Sequence, residues 1–279
     1  MTRGTFPVRL LALDLDGTLL GPDRVIRPRV RRAVAQALEA GVVVTLATGR
    51  MYRSALPFAR ELGIAAPLVC YQGAYIREMP GPGGMAGRLL YHRTMSGVVA
   101  REAIGWARAR GFDPHVNVDD RLLMETETAG ALDYERLAGV GAELVPDLLA
   151  AVRGPVTKLL AVGAAPLPET SLAAARAAFA GRAQVTVSHP EYLEWNAPGV
   201  TKARGVRWLA RSLGIAPGQI MAIGDQYNDV EMLAGVGHGV AMGNAPDPVR
   251  EAARHVTAPL EADGAALAIE ALILRGAAA

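Results

Sequence analysis

The sequence has very little cysteine and no long apolar run. Among its 279 residues there is one cysteine, Cys70, so an internal disulfide is excluded and a reducing compartment is favoured. No run of about 18 apolar residues occurs, so we expect no transmembrane helix. Arg9 interrupts the first apolar stretch and Asp14 makes it acidic, which is unlike a signal peptide. We therefore expect a cytoplasmic protein without a membrane partner.

A strong charge of either sign is also lacking. The formal net charge is +2 at pH 7 and there is no dense basic run, so nothing indicates nucleic acid as a partner. Lysine is rare, because of the 29 basic residues only Lys158 and Lys202 are lysines. A lysine in such a chain indicates a place that fits a compact ammonium but not a wide guanidinium. No pattern indicates an oligomeric state.

The two ends of the chain alternate between short apolar runs and helical patterns. A helix is predicted from Pro28 to Ala40, because its apolar residues recur at helical spacing and Gly41 follows as a stop. Continuous apolar strands joined by helices predict a parallel sheet with right-handed crossovers. The predicted strands are residues 8–15, 42–47, 68–71, 220–223 and 238–242.

The middle of the chain has a different sequence pattern. Residues 80–87, PGPGGMAG, predict a loop or linker. The helices and strands predicted after it are residues 96–110, 122–125, 156–162, 169–180 and 184–188. The sequence therefore predicts an α/β protein, in which a Rossmann-like parallel-sheet domain (1–82 and 192–279) carries an inserted small α/β domain (83–191).

Polar clusters follow three of the predicted strands, and a fourth precedes a helix. Because ligands bind beyond the carboxyl ends of the strands in an open parallel sheet, the fold would bring these clusters to one edge. A single Asp-x-Asp pattern is most often an ordinary turn, but four clusters at one edge favour a functional site. The clusters are Asp14-Leu15-Asp16-Gly17-Thr18, Thr48-Gly49-Arg50, Thr201-Lys202, and Gly224-Asp225 leading into Asn228-Asp229.

Four negative charges would meet at this edge, from Asp14, Asp16, Asp225 and Asp229. Two unit charges about 4 Å apart repel by roughly 4 kcal/mol at an effective dielectric constant near 20, so the cluster needs a cation. An all-oxygen set without cysteine or histidine suits Mg²⁺. Calcium binding is the structural alternative, although the residues are spread over both halves of the chain instead of one short loop.

The motifs DLDGTL, ATGR, GVTK and GDQYND, in that order, resemble the four motifs of the haloacid dehalogenase superfamily. The insertion between the second and third motifs resembles the Cof-type branch, which carries a type-two cap domain. The resemblance covers essentially the whole chain. It implies a Mg²⁺-dependent phosphatase that hydrolyses small phosphomonoesters, such as sugar phosphates or related metabolites, under a cap that selects the substrate.

The resemblance also implies roles for individual residues. Asp14 would attack phosphorus and form an aspartyl-phosphate, and Asp16 would act as the general acid and base. Thr48 and Lys202 would contact the phosphoryl group and share in catalysis. The implied metal ligands are Asp14, the backbone carbonyl of Asp16, Asp225 and, directly or through water, Asp229. The further implied substrate contacts are Gly49 and Asn228, with backbone N–H groups of Gly17, Thr18 and Gly49 around the phosphate.

Two other functions remain open at this point. A phosphomutase would use the same aspartyl-phosphate but return the phosphoryl group to its substrate. A non-catalytic regulator would bind a phosphorylated ligand without turnover. Gln72 stands where the family often has asparagine, which allows a changed substrate contact. His115, Lys158 and His189 are the candidates for substrate contacts from the cap.

Overall fold

The structure, a computed structural model, describes residues 7–128, 132, 136, 139–163, 167–189 and 191–274. The chain forms two compact units. The first contains the residues up to Leu90 and those from Thr201 onwards, and the second is Tyr91–Val200. The predicted boundaries lay at residues 82 and 192. The assignment of a catalytic domain and a cap stays a prediction.

The helices and strands follow one another along the chain in three parts. The first part contains β1 (Leu10–Leu13), α1 (Pro28–Glu39), β2 (Val43–Leu46), α2 (Tyr52–Glu61), β3 (Leu68–Cys70), β4 (Tyr75–Arg77) and β5 (Leu89–His92). The second part contains α3 (Gly97–Arg108), β6 (Asp113–Val118), β7 (Arg121–Met124), β8 (Glu143–Leu144), α4 (Leu148–Ala151), β9 (Lys158–Val162), α5 (Glu169–Ala178), β10 (Gln184–His189) and β11 (Tyr192–Asn196). The third part contains α6 (Lys202–Ser212), β12 (Ile220–Gly224), α7 (Val230–Ala234), β13 (His238–Ala241), α8 (Asp247–Ala252), β14 (His255–Val256) and α9 (Gly264–Ile269).

The first unit is built on a parallel sheet with the strand order β14-β13-β12-β1-β2. Strand β1 lies inside this sheet, in register with Ile220–Ile223 on one side and Val43–Leu46 on the other. All four residues of β1 are buried, as expected for a parallel strand that is covered on both faces. The apolar run at the start of the chain therefore forms the core of this unit.

The helices of the first unit follow from their apolar spacing. In α1, Val30, Ala33, Val34 and Ala37 are buried, so one face of the helix packs inward. Pro28 occupies the first turn, where its missing N–H costs no helical hydrogen bond. The predicted fold class, an α/β protein with a parallel central sheet, is confirmed. Among the described residues, no helix has both the length and the apolar character needed to cross a bilayer.

The second unit has a six-stranded sheet with the order β10-β11-β9-β6-β7-β8. Its strands pair antiparallel except for β7 and β8. Apolar side chains on one face of the sheet form a core with helices α3 and α5. Four aromatic side chains stack in this core, with ring centroids 5.6 to 6.4 Å apart: Trp106, Phe112, Phe179 and Trp195. The opposite face of the same sheet carries polar residues.

Candidate active site

The parallel sheet has a topological switch point between β1 and β12. The chain runs from β1 to β2 on one side, whereas β12 pairs with β1 on the other side. Such a point opens a crevice beyond the carboxyl ends of the two strands. Asp14 directly follows β1 and Asp225 directly follows β12, so the sheet brings two residues that are far apart in sequence to this crevice.

Two carboxylates contact one ammonium at this point, and a third carboxylate lies beside them. Lys202 Nζ lies 2.7 Å from Asp14 Oδ1 and 2.8 Å from Asp229 Oδ1. Asp14, Asp225 and Asp229 each present a carboxylate oxygen, and these oxygens lie within 4.8 Å of one another. All four residues are buried. The predicted meeting of charges is therefore found for three of the four aspartates.

Burial sets the protonation behaviour of this cluster. Burial raises the pKa of Asp14 well above its usual range, and although Lys202 opposes this, the nearby Asp229 and Asp225 add to it. Burial also raises the pKa of Asp225 to about 6, against the hydrogen bond from Thr18. Burial lowers the pKa of Lys202, but the carboxylates of Asp14 and Asp229 outweigh it, and the net shift is upward. Lys202 is thus charged, and the carboxylates lack a sufficient counter-charge.

Asp229 shapes the loop that presents Asp225. Its Oδ2 accepts hydrogen bonds from the N–H groups of Asp225, at 3.0 Å, and Gln226, at 3.1 Å. Its Oδ1 accepts a hydrogen bond from Lys202. Thr18 Oγ1 donates to Asp225 Oδ1 at 2.8 Å, which fixes the second carboxylate from the other side of the crevice. Both oxygens of Asp229 are therefore occupied, while Asp225 keeps one oxygen towards the cluster.

The loop after β1 is closely fitted to Asp225. Gly17 has φ +81°, and a Cβ atom at this position would lie 2.1 Å from Asp225 Oδ2. A side chain here would therefore displace the carboxylate. Asn244 Nδ2 donates to the carbonyl of Gly17 at 2.9 Å and Asn244 Oδ1 accepts from Leu260 N–H, which ties the loop to the C-terminal region. Asn244, in the segment AMGNAPDPVR, was not among the predicted site residues.

Asp16 does not join the carboxylate cluster. Its two oxygens accept hydrogen bonds from Arg50 Nε at 2.7 Å and Arg50 Nη2 at 2.6 Å. The Asp16 side chain is 55% exposed, whereas that of Arg50 is only 8% exposed and stacks over Phe58. The buried guanidinium of Arg50 thus holds the exposed carboxylate of Asp16 at the rim of the crevice. The sequence placed Arg50 in the predicted Thr48-Gly49-Arg50 cluster but assigned it no role at the site.

Thr48 and Gly49 follow β2 at the same edge of the sheet. Thr48 is buried, and its Oγ1 accepts a hydrogen bond from Arg50 N–H at 3.1 Å, so its own hydrogen is left to donate. A Cβ atom on Gly49 would lie 2.6 Å from Gln72 Nε2. Asn228 Nδ2 donates to Gln72 Oε1 at 3.1 Å, and Gln72 itself has the left-handed φ of 58°. Gln72, which the prediction left aside, therefore belongs to the site.

Two of the backbone donors predicted around the phosphate are engaged within their own loop. The N–H groups of Gly17 and Thr18 donate to Leu20 O and Leu15 O within the loop, so these two donors are engaged. Lys158 and His115 lie in the sheet of the second unit. His189 ends β10, and its side chain lies outside the described part of the structure.

Comparison with known proteins finds relatives along most of the chain. Residues 11–269 match the family model of the haloacid dehalogenase-like hydrolases. The chain is 32% identical over 252 residues to the HMP-PP phosphatase of Serratia proteamaculans, covering 85% of this chain and 84% of the relative. It is 27% identical over 267 residues to the pyridoxal phosphate phosphatase YbhA of Escherichia coli, covering 89% and 92%. A haloacid dehalogenase-like hydrolase from Bacteroides thetaiotaomicron has a similar structure, with a TM-score of 0.87, 28% identity and coverage of 95% and 100%.

The chain belongs to the haloacid dehalogenase-like hydrolases. The family predicted from the four motifs is thereby confirmed. The predicted enzyme class, a phosphatase of this family, is confirmed as well by the match to phosphatases along most of their length. The roles predicted for individual residues stay predictions.

Proposed function

We propose that the protein is a Mg²⁺-dependent phosphatase that hydrolyses small phosphomonoesters through a phosphorylated Asp14. The observation that carries this proposal is the buried group of three carboxylates around Lys202, at the carboxyl ends of β1 and β12. An aspartyl-phosphate mechanism needs a nucleophilic carboxylate, a cation beside it and further carboxylates for a metal ion. The names of the two relatives, which are phosphatases of HMP-PP and of pyridoxal phosphate, support a small phosphorylated metabolite as the substrate.

The site residues fit Mg²⁺. With all three carboxylates ionised, the group carries two negative charges in excess of the charge of Lys202, which one divalent cation balances, and all the donors are oxygen. Because both oxygens of Asp229 already accept hydrogen bonds, the ion would be held by Asp14 and Asp225. The backbone carbonyl of Asp16 would complete the protein ligands, with Asp229 beside them. Bound there, Mg²⁺ would neutralise charge on the oxygens of the transferred phosphoryl group.

In the first chemical step, a carboxylate oxygen of Asp14 attacks phosphorus. An O–P bond forms while the P–O bond to the leaving group breaks, and Asp16 supplies the proton that the leaving oxygen takes up. Asp16 has to leave Arg50 for this transfer, because Arg50 occupies both of its oxygens. Lys202 stays beside Asp14, and Thr48 directs its hydroxyl hydrogen at a phosphoryl oxygen, so both stabilise the charge that develops.

The second step returns the enzyme to its starting state. Water attacks the phosphorus of the aspartyl-phosphate and gives its proton to Asp16. The bond between Asp14 and phosphorus breaks, which regenerates the carboxylate and releases inorganic phosphate. Because Asp16 first loses and then regains a proton, it carries no net change over one turnover.

We also propose that the second unit acts as a cap domain and selects the substrate. We also propose a cytoplasmic location, because a chain with a single cysteine forms no internal disulfide and suits a reducing compartment. Gly49 and Asn228 remain proposed substrate contacts beside the phosphoryl group. Gln72 joins them, because it contacts both positions.

The test is phosphate release from p-nitrophenyl phosphate and a panel of small phosphomonoesters. We expect turnover with Mg²⁺, none with EDTA, and a loss of roughly 10³-fold or more in Asp14→Asn. Asp247→Asn, which removes an exposed carboxylate outside the cluster, should turn over normally. Full activity of Asp14→Asn would contradict the aspartyl-phosphate. Conversion of a hexose 1-phosphate to the 6-phosphate without phosphate release would show a phosphomutase, and binding without turnover would show a regulator.

A further inference from the structure

The turn between β3 and β4, here called the β3–β4 turn (Tyr71–Gly73), has an unusual backbone. Its residues Tyr71, Gln72 and Gly73 all have positive φ, at 51°, 58° and 92°. Residues other than glycine rarely adopt this left-handed conformation, and it persists where the surrounding structure imposes it, often beside an active site. Tyr71 and Gly73 are buried, and the ring of Tyr71 packs against that of Tyr75 with centroids 5.7 Å apart. The surrounding packing therefore fixes the β3–β4 turn.

One side of the β3–β4 turn holds the loop that contains Thr48. The N–H of Gln72 donates to the carbonyl of Thr48 at 3.0 Å, and the N–H of Tyr71 donates to the carbonyl of Arg50 at 2.9 Å. The N–H of Thr48 donates in turn to the carbonyl of Val69 in β3 at 2.9 Å. The backbone of Thr48 is therefore bonded on both sides by β3 and the turn that follows it.

The other side of the β3–β4 turn packs against the beginning of α6. A Cβ atom on Gly73 would lie 2.3 Å from the carbonyl oxygen of Thr201, and one on Gly205 would lie 2.8 Å from the Cα atom of Gly73. That carbonyl of Thr201 accepts the first hydrogen bonds of α6, including one from the N–H of Gly205. Lys202 directly follows Thr201 in the chain. The backbone of Gly73 therefore lies against the residue from which α6 places Lys202.

We propose that Gly73 and Gly205 are positioning residues, and that the β3–β4 turn sets the distance between Thr48 and Lys202. This inference rests on the proposed phosphatase function, in which both of those side chains contact the transferred phosphoryl group. The two glycines touch neither the substrate nor the metal. They let the turn approach α6 with no side chain between the two backbones. Because a misplacement of about 1 Å can lower a rate by about 10²-fold, a disturbed fit of this turn should lower kcat.

The metal-binding carboxylates are held by other parts of the chain. Asp14 follows β1 and Asp225 follows β12, and Asp225 is fixed by Thr18 and by the close fit of Gly17. A displaced β3–β4 turn should therefore weaken the binding of a phosphoryl group without weakening that of Mg²⁺. A purely structural role of the turn would give no such division, because a loosened core affects both.

The experiment compares Gly73→Ala with Gly214→Ala in the full-length protein. Gly214 follows the other end of α6 and also has a positive φ, of 65°, but no non-adjacent atom of the described residues lies within 4 Å of the position that its Cβ would take. Both variants force alanine into a left-handed conformation, so both should lower the melting temperature. We expect kcat for p-nitrophenyl phosphate to fall at least about tenfold in Gly73→Ala and to stay within about twofold of the wild type in Gly214→Ala.

Two further titrations separate the phosphoryl group from the metal. Orthovanadate, an inorganic analogue of phosphate, should inhibit Gly73→Ala with a Ki at least about tenfold above that of the wild type. The Mg²⁺ concentration that gives half of the maximal activity should not rise in this variant. In Gly214→Ala both values should equal those of the wild type.

Gly205→Ala disturbs the same contact from the helix and serves where Gly73→Ala does not fold. Its Cβ would lie 2.5 Å from Val69 Cγ1 as well as 2.8 Å from the Cα atom of Gly73. Adding Val69→Ala removes the first contact and leaves the second, so the double variant should keep a loss of kcat of at least about tenfold. Gly105→Ala is the control, because Gly105 lies inside α3 and no non-adjacent atom of the described residues is within 4 Å of its Cβ position.

Four outcomes would overturn the inference. One is an unchanged kcat in folded Gly73→Ala or Gly205→Ala, and another is an equal loss of kcat in Gly73→Ala and Gly214→Ala. A third is a Mg²⁺ requirement that rises as much as the Ki for orthovanadate. The fourth is full activity of the double variant, since the packing of Val69 would then explain the effect of Gly205→Ala. Turnover of p-nitrophenyl phosphate by the wild type separates all four from failure of the proposed function, which would remove both proposals.

Discussion

Both lysines of the chain are buried, and each ammonium lies against a carboxylate. Lys202 bridges Asp14 and Asp229, and Lys158 pairs with Glu194. Many of the arginine pairs, by contrast, lie at the surface, as Arg31 does with Glu61. An ammonium is compact and can enter a narrow buried site, whereas a guanidinium needs a planar space and several acceptors. The two positions where the chain keeps lysine are therefore positions where its shape matters.

At the scale of one residue, replacing Asp16 should separate the two chemical steps. In Asp16→Asn the nucleophile Asp14 remains, but no carboxylate protonates the leaving group or activates water. p-Nitrophenolate is a good leaving group and needs no proton, so phosphorylation of Asp14 should continue while hydrolysis slows by roughly 10²-fold or more. We expect a burst of p-nitrophenol, close to one per enzyme, followed by slow turnover in stopped-flow measurements.

Arg50→Ala is the companion variant for this measurement. It removes the partner of Asp16 but keeps the carboxylate, so both steps should continue and no burst should appear. A linear time course of Asp16→Asn, with the same loss of kcat for p-nitrophenyl and alkyl phosphates, would contradict this role. Asp16 would then not be the group that accepts the proton of the attacking water.

The site residues that the sequence did not predict have contacts with residues that are distant in sequence. The motif residues Asp14, Thr48, Lys202 and Asp225 were identified because strand ends and family-like patterns mark them. Arg50 pairs with a residue 34 positions away, Gln72 with one 156 positions away and Asn244 with one 227 positions away. No local pattern specifies such pairs, because they depend on how separate loops meet at the sheet edge.

At the scale of one element, the loop after β1 depends on Gly17. Gly17→Ala would place its methyl carbon 2.1 Å from Asp225 Oδ2, in a backbone conformation that alanine adopts poorly. We expect a loss of unfolding free energy of about 1–2 kcal/mol or more, together with loss of Mg²⁺-dependent activity, because Asp225 has to move. Thermal unfolding and a Mg²⁺ titration of phosphatase activity measure the two effects.

Gly41→Ala is a matched control. Gly41 has the same φ of +81°, but no atom lies within 4 Å of the position that its Cβ would take. The variant should lose a similar backbone contribution of about 1–2 kcal/mol and keep full activity. Equal losses of activity in both variants would mean that backbone strain, and not the contact with Asp225, explains the effect of Gly17→Ala.

Helices and strands whose apolar residues recur at regular spacing were predicted well, whereas very short strands were not. The helix predicted from Pro28 to Ala40 is found at Pro28–Glu39, because its buried residues recur at helical spacing. Strand β14, His255–Val256, was not predicted, because its two residues carry no period of their own. Pairing with β13 determines that strand, so only the assembled sheet defines it.

At the scale of the whole molecule, the two units use sheets of different kind. The first unit buries a parallel sheet on both faces, whereas the second has a mainly antiparallel sheet with an apolar and a polar face. A parallel sheet places its ligands at strand ends, and a two-faced antiparallel sheet presents side chains from the middle of its strands. The parallel sheet of the first unit was predicted from its apolar runs. The polar face of the second sheet was not predicted, because it depends on the register of three strands, and the alternation of residues along one strand does not determine that register.

The stability of the whole protein should depend on pH and Mg²⁺ together. Burial raises the pKa of Asp225 to about 6 in the folded, metal-free protein, so between about pH 4 and 6 the folded state binds more protons than the unfolded chain. The contribution of this group to the unfolding free energy therefore falls as pH rises through that window, by about 1–3 kcal/mol. Asp14, whose pKa burial also raises, acts in the same direction. His92 and His255, whose pKa values burial lowers, act in the opposite direction.

Asp225→Asn separates these contributions, because it removes the titrating carboxylate and leaves both histidines. In EDTA we expect the variant to gain stability over the wild type, and to gain about 1–3 kcal/mol more at pH 7.5 than at pH 5 in chemical denaturation. Mg²⁺ binds the ionised carboxylates, so it should raise the melting temperature of the wild type more at pH 7.5 than at pH 5, and have little effect on the variant. A stability difference between variant and wild type that is independent of pH would show that Asp225 is ionised at pH 5 even without metal. The metal would then not be needed to balance the charge of the cluster.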